Sequence, residues 1–270
     1  MKNISFGQYY PADSFVHNLD PRVKILLMTA FIISIFFIKS FFGYVIIAAF
    51  ILLCVIFSKV PFGSVLRSVK GILFLVLFTM ILNLFFVREG NVILDWKIIK
   101  ITDYGVLFTA KMALRLVLLV MGTSLLTLTT TPMSLTDGLE SLMKPLKLIR
   151  FPVHDVALIM SMALRLIPSL MDEAQKIMNA QKARAASFDS GNVFQRAKAM
   201  LPVLIPLFIS SFRRADELAL ALDARCYNAT PNRTKMKKLK AGWRDVVATF
   251  VTAGFITVIM LDTFLWMGVF

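Results

Sequence analysis

The chain of 270 residues has room for one or two soluble domains, but 58% of it is hydrophobic, only 17% is charged, and its mean hydropathy is +0.75. Soluble domains sit nearer about 45–50% apolar and about 25% charged, so a water-soluble fold and intrinsic disorder are both excluded. With only Cys54 and Cys226, a disulfide scaffold is excluded too. The net charge of +14 leaves three sources open: nucleic acid, anionic lipid, or the excess of basic residues in cytoplasmic loops.

Met1 to Asp20 is polar and aromatic, without the basic start, apolar core and small-residue cleavage site of a signal peptide. Apolar stretches follow at about Ile25–Ile38, Phe41–Phe57, Ile72–Val87, Val106–Leu128 and Val246–Phe270. A spanning helix needs about 20 such residues, with about 17 as the lower limit. The first two are short and separated only by Lys39-Ser40, which predicts a tight helical hairpin. Between Pro132 and Arg244 no clean span appears. Charged residues recur there among Leu, Met and Ala, and eighteen of the thirty basic residues lie from Lys144 to Arg244.

Such a segment belongs in the cytoplasm or on its membrane surface, and the positive-inside rule then sets the rest. Four spans before it put the N-terminus, with Arg22 and Lys24, inside, along with the loop carrying Lys59, Arg67 and Lys70. Lys39 and the loop Arg88 to Asp103, where Glu89, Asp95 and Asp103 offset three bases, fall outside; the last span puts the C-terminus outside. The expectation is therefore an all-α integral membrane protein of about five transmembrane helices. It has an N-terminal membrane domain (residues 1–131), a cytoplasmic domain (132–245) and a C-terminal transmembrane helix (246–270). Topology accounts for the charge, and no nucleic-acid partner is required.

Two parts of the central segment have helical periodicity. From about Met160 to Arg184, Ala163, Ile167, Leu170, Ala174 and Ile177 fall on one stripe; from about Val203 to Arg225, Phe208, Phe212, Ala215, Ala219, Leu222 and Cys226 do the same. Facing stripes of this kind let two helices pack, and alanines allow close approach. The opposite faces carry Asp172, Glu173 and Lys176 in one helix and Arg213, Arg214, Asp216 and Glu217 in the other; Arg213 and Glu217, four apart, can pair. Each unit has a proline near its start, in Leu166-Ile167-Pro168 or Leu204-Ile205-Pro206. Each ends in an arginine between small residues, in Ala183-Arg184-Ala185 or Ala224-Arg225-Cys226. A guanidinium there offsets the partial negative charge of the last carbonyls. Unobstructed by its neighbours, it could also fork onto a partner's carboxylate or carbonyls. The residues alone leave both roles open.

At this point the chain resembles a family, the transmembrane T component (EcfT) of energy-coupling-factor vitamin importers, over nearly its whole length. The resemblance begins at Asp13-Ser14, His17, Leu19-Asp20-Pro21-Arg22 and Lys24. It is densest through Ala180-Gln181-Lys182-Ala183-Arg184 and Ser210-Ser211-Phe212-Arg213-Arg214-Ala215-Asp216-Glu217-Leu218-Ala219, and ends at Ala224-Arg225-Cys226-Tyr227. The family's mark is a pair of Ala-Arg-Gly triplets closing two cytoplasmic coupling helices. Both depart from it here, with Ala185 and Cys226 where glycine is usual. The replacements are small, so the departure bears only on a role that needs the backbone freedom of glycine.

The resemblance implies a non-enzymatic scaffold whose crossed coupling helices each end in a groove of a cytoplasmic ABC ATPase subunit, anchored by Arg184 and Arg225 within their triplets. ATP and magnesium would be held by those two ATPases, and this chain would carry no cofactor. An interchangeable vitamin-binding membrane protein, the S component, would pack on the coupling helices over Ala163, Ile167, Leu170, Ala174, Phe208, Phe212, Ala215 and Ala219. The implied location is the bacterial cell membrane. Met160, Met162, Met171, Met178 and Met200 fit an adaptable surface, though methionine is also simply common in membrane chains.

No other chemistry is legible. A phosphate-binding Gly-x-x-x-x-Gly-Lys-Ser/Thr loop is missing, and the run Gly105 to Lys111 lacks its second glycine. No span carries paired carboxylates; His17 and His154 are far apart, and the two cysteines are too few for a metal site. Lys111 and Arg115 share a face early in the fourth span, as a functional charge pair or as side chains snorkelling to the interface. Asp262, close to Trp266, reads as interfacial. A self-sufficient secondary transporter or channel, the alternative, calls for polar groups at mid-membrane, and Asn83 is nearly the only one in the first three spans.

Overall fold

The computed structural model describes residues 9–38, 40–86, 92–96, 99–149, 151–186, 188, 192–227 and 241–267. Lys39, Arg88 and Glu89 lie outside these, as do the ends of two anticipated spans, Val87 and Phe270, and the side chains of Asp95 and Trp266. In chain order the elements are α1 (Pro21–Phe37), α2 (Phe41–Ser58), α3 (Phe62–Phe86), β1 (Val92–Trp96), β2 (Ile99–Thr102), α4 (Asp103–Thr129) and α5 (Pro132–Leu142). A 3₁₀ turn (Lys144–Ile149), α6 (Val153–Ala183), α7 (Val193–Ala224) and α8 (Trp243–Met267) complete it. Among the described residues the regular structure is helical except for one antiparallel hairpin, with Asp95 opposite Lys100 and a register irregularity between Val92 and Leu94. The sequence alone marks that stretch only as a loop.

The chain divides into two compact units, Met1–Val153 with Leu239–Phe270, and His154–Lys238. Local chemistry sets the helix ends of the first. Asp20, Ser40, Thr102 and Thr131 each cap a helix with a side-chain oxygen, and Pro21 and Pro132 follow in the first turn, where a missing N–H costs nothing. Some helix edges lie outside the apolar runs. α1 starts at Pro21 instead of Ile25, and α3 at Phe62 instead of Ile72, because polar and basic residues extend a helix beyond its apolar stretch.

Among the described residues, five helices are long and apolar enough to cross a membrane: α2, α3, α4, α6 and Trp243–Phe264 of α8. α1, at 17 residues, sits at the lower limit. The set therefore differs from the expected five at two helices: α6, whose first half is apolar enough, is included, and α1 is not.

The core of the first unit runs along Phe31, Ile35 and Ile38 of the α1 segment, Ile47, Ile51 and Val55 of α2, Leu118 and Leu125 of α4, and Phe255 and Ile259 of α8. The α2 residues recur every four positions, the spacing of one helix face. Phe50 stacks on Phe255 with ring centroids 4.0 Å apart. Gly122 lets α4 approach α1: a Cβ there would lie 2.4 Å from the Phe31 ring. α3 packs mainly on α4 and is otherwise exposed, the pattern of a helix whose remaining surface meets lipid.

Beside the core, the Asp13–Lys24 run forms a polar knot. His17 shares a hydrogen bond with Ser14 Oγ (2.7 Å) through Nδ1, and its Nε2 is 2.9 Å from the Tyr10 carbonyl. Lys24, 7% exposed, donates to the His17 and Thr129 carbonyls and to Thr130 Oγ1, at 3.0–3.2 Å. Asp245, also buried, accepts from the Asp20 and Gly242 amides at 2.7 Å. A buried ammonium is tolerated because all three protons have acceptors. The knot ties the starts of α1 and α8 to the end of α4.

Candidate partner-docking site

α6 and α7, 31 and 32 residues long, form the second unit, with Pro168 inside one and Pro202 and Pro206 inside the other. An interior proline removes a helix hydrogen bond and bends the helix locally. Both helices end in the same way. After Ala183, Ala185 takes φ 62° and the chain closes two bonds, Ala185 N–H to the Lys182 carbonyl and Ala186 N–H to the Gln181 carbonyl, each 3.0 Å. After Ala224, Cys226 takes φ 52°; its amide donates to Asp223 and that of Tyr227 to Leu222, each 2.9 Å. These are two Schellman caps, in which a left-handed residue turns the chain so that the last carbonyls are satisfied.

The caps say what each triplet does. The third residue sits where the left-handed conformation favours glycine, and the arginine before it is the last residue before the turn. Both replacements keep that conformation, so the turn survives the loss of glycine at a conformational cost of about 1–2 kcal/mol each. With the terminal carbonyls held by amides, neither guanidinium is needed as a cap. Ala183, Arg184, Ala185, Ala224, Arg225 and Cys226 are all exposed, and among the described residues neither guanidinium has a hydrogen bond or ion pair. The sequence left each arginine as cap or anchor; the cap is made by backbone, which frees the side chain for other contacts.

The stripes fare differently. The sequence reading placed Ala163, Ile167, Leu170 and Ala174 against Phe208, Phe212, Ala215 and Ala219, with the charged residues facing away. In the structure Ile167, Leu170 and Ala174 are half-buried, but Ala163, Ala215 and Ala219 are exposed, as are Phe208 (66%) and Phe212 (59%), which meet edge to face. The less exposed line on α7 is Val203, Leu207, Ser211, Arg214 and Leu218. The two helices do not run alongside each other; they touch locally. There Arg214 donates from Nη1 to Ser169 Oγ (2.7 Å) and from Nη2 to Glu173 Oε2 (2.5 Å). Arg213 and Glu217 stay exposed and do not pair. Helical spacing shows which residues share a face but not which face turns inward, and one bidentate arginine outweighs a stripe that has nothing apolar opposite it. The aromatic stripe is left as open apolar surface, joined by Met160, Met171 and Met200, each more than 40% exposed.

The intramembrane charges find a local explanation. Arg115 Nη2 donates 3.0 Å to the Ile38 carbonyl at the end of α1, with its guanidinium carbon 5.9 Å from the Phe36 ring centroid. Asp262 Oδ2 lies against Gly43 in the first turn of α2, where a Cβ would come within 3.2 Å of it. A cation at the end of one helix and a carboxylate at the start of the next both oppose the helix dipoles. Arg115 therefore braces the α1–α2 turn, while the buried Asp262 Oδ2 has no hydrogen-bond partner among the described residues. Lys111 is half-buried. Cys54 is half-buried in α2, and no cluster of three His, Cys, Asp or Glu suited to a metal occurs among the described residues.

Residues 12–236 match the family described as cobalt transport protein, CbiQ. The chain is 49% identical over 267 residues to the energy-coupling factor transporter transmembrane protein EcfT of Clostridium kluyveri, covering 98% of this chain and 99% of the relative. Proteins of the same name from Ruminiclostridium cellulolyticum and Listeria innocua are 48% and 43% identical, over 97% and 90% of this chain and 97% and 91% of theirs.

Proposed function

The chain belongs to the CbiQ/EcfT family, the multi-pass transmembrane components of energy-coupling factor transporters, and we propose that it links two cytoplasmic ATPase subunits to an exchangeable vitamin-binding membrane protein. The observation that carries the proposal is the duplicated tip: two long helices, each closed by a backbone cap that leaves one arginine exposed. A guanidinium presented on a rigid helix end, with small residues on both sides, is shaped to enter a groove and fork onto carbonyls or a carboxylate. Arg184 and Arg225 would each anchor one ATPase. Those partners would hold ATP and magnesium; relatives bear the names of transporter components, not enzymes.

The exposed face of α7 around Phe208, Ile209, Phe212 and Leu220 is the surface we assign to the S component, with Ala215 and Ala219 beside it and Ala163, Ile167, Leu170 and Ala174 contributed by α6. Apolar surface so continuous calls for cover by protein or lipid. In this reading α1 to α4 and α8 span the membrane, residues 132–245 form the cytoplasmic coupling domain, and α6 lies at the inner surface. The basic residues from Lys144 to Arg244 support that orientation, with the N-terminus inside and the C-terminus outside. Arg165, Asp172, Glu173 and Lys176 along α6 also make a span costly.

Affinity purification of the tagged chain from its own membranes in mild detergent tests the proposal. Two ATPases and a small membrane protein are expected to accompany it, and Arg184→Glu or Arg225→Glu to lose an ATPase while the chain still inserts. Recovery of the chain alone, together with substrate uptake by liposomes lacking ATP, would overturn it.

A further inference from the structure

The contact between α6 and α7 has a symmetry that the triplets do not explain. Arg184 lies eleven positions after Glu173 on α6, and Arg225 eleven positions after Arg214 on α7. Both intervals are uninterrupted helix up to the cap. At about 1.5 Å per residue, each tip lies about 16 Å along its helix from the ion pair. The other partner, Ser169, directly follows Pro168, where α6 lacks an internal hydrogen bond.

We infer that the Arg214–Glu173 ion pair, with Ser169 as a second acceptor, is a pivot set equally far from the two arginine tips, and that it fixes the angle between the two helices. The inference rests on the coupling reading for its purpose, but not for its geometry. Two helices held by bonds to acceptors about one helical turn apart on α6, Ser169 and Glu173, resist both sliding and swinging at that point. A planar guanidinium forked onto a hydroxyl and a carboxylate offers that resistance, because two directed bonds fix position where one apolar contact would slip. The equal arms have a mechanical consequence: force at either tip acts on the crossing with the same leverage. The partial burial of the pair, 30% and 25% of each side chain exposed, protects it from full solvent competition. Arg214, Glu173 and Ser169 are thus positioning residues for transport, acting through the helix tips.

Spin labels on cysteines placed at the exposed positions Ala180 and Ala221, in a Cys54→Ala and Cys226→Gly background, report the distance between the arms by pulsed electron resonance on the purified full chain in lipid nanodiscs. We expect one narrow distance in the parent and loss of that single peak, with a broad spread in its place, in Arg214→Gln and in Glu173→Gln. The reversed pair, Arg214→Glu with Glu173→Arg, should bring the narrow peak back. A distribution unchanged in both single variants overturns the pivot. So does a reversed pair that stays as broad as they are, whether from altered packing or from misfolding. No partner takes part in this measurement, so failure of the coupling reading itself would appear separately, as absence of ATPases from the purified parent.

Discussion

Glycine at position 185 or 226 should tighten the end of its helix. In the structure both residues hold φ near +55°, where a side chain crowds the following carbonyl at about 1–2 kcal/mol and glycine does not. Glycine also gives the unfolded chain more freedom, which takes back about 0.5–1 kcal/mol. The net expectation for Ala185→Gly or Cys226→Gly is about 1 kcal/mol in favour of the capped end, roughly fivefold in the ratio of capped to frayed helix. The two caps share no partner, so the double substitution should add to about 2 kcal/mol. The assay is amide hydrogen exchange of the purified chain, read at Ala186 and Tyr227, whose N–H groups close the caps onto the Gln181 and Leu222 carbonyls. After correction for intrinsic rates, exchange at each should slow about fivefold in the glycine variants. Ala185→Val, with a branched side chain in the left-handed region, should quicken it. Equal or faster exchange in the glycine variants would show that the turn does not depend on the left-handed residue, and the account of the triplets would be wrong.

Gly122→Ala places a Cβ 2.4 Å from the Phe31 ring and should cost about 1–3 kcal/mol by overpacking, seen as lower thermal stability in detergent and relieved by Phe31→Leu. Lys24→Met leaves the His17 and Thr129 carbonyls and the Thr130 hydroxyl without their donor and should destabilise by about 1–3 kcal/mol, measured by denaturant melting in micelles. Arg115→Leu should lower stability by about 1 kcal/mol through loss of the Ile38 bond, while ATP-driven uptake per folded complex stays unchanged; a selective transport loss would give Arg115 a direct role. Cys226→Gly should transport normally, whereas a severe loss would mean that the thiol itself is used.

The membrane class and most of the helices were legible because apolar length and charge placement are one-dimensional signals. Helix edges were less so: the caps at Asp20 and Thr131 extend or add helices where composition is mixed, and α5 has no apolar run to announce it. The triplets were found from the residues flanking Arg184 and Arg225, but their left-handed turn was masked because alanine and cysteine carry none of the signal that glycine gives. Which stripe of α7 faces α6 could not be read from periodicity, since Arg214 is one residue from Arg213 and only the three-dimensional crossing selects between them. Arg115 and Asp262 were conspicuous as charges, yet Arg115 bonds a carbonyl and Asp262 lies against the first turn of α2, features of backbone that a sequence does not display.

A photoreactive amino acid at Ala183 and another at Ala224, irradiated in intact membranes with the transporter assembled, tests the coupling account most directly. The account requires a covalent adduct to an ATP-hydrolysing subunit from each position. Adducts confined to lipid, or labelling of either position by a membrane-impermeant reagent added outside the cell, would contradict it.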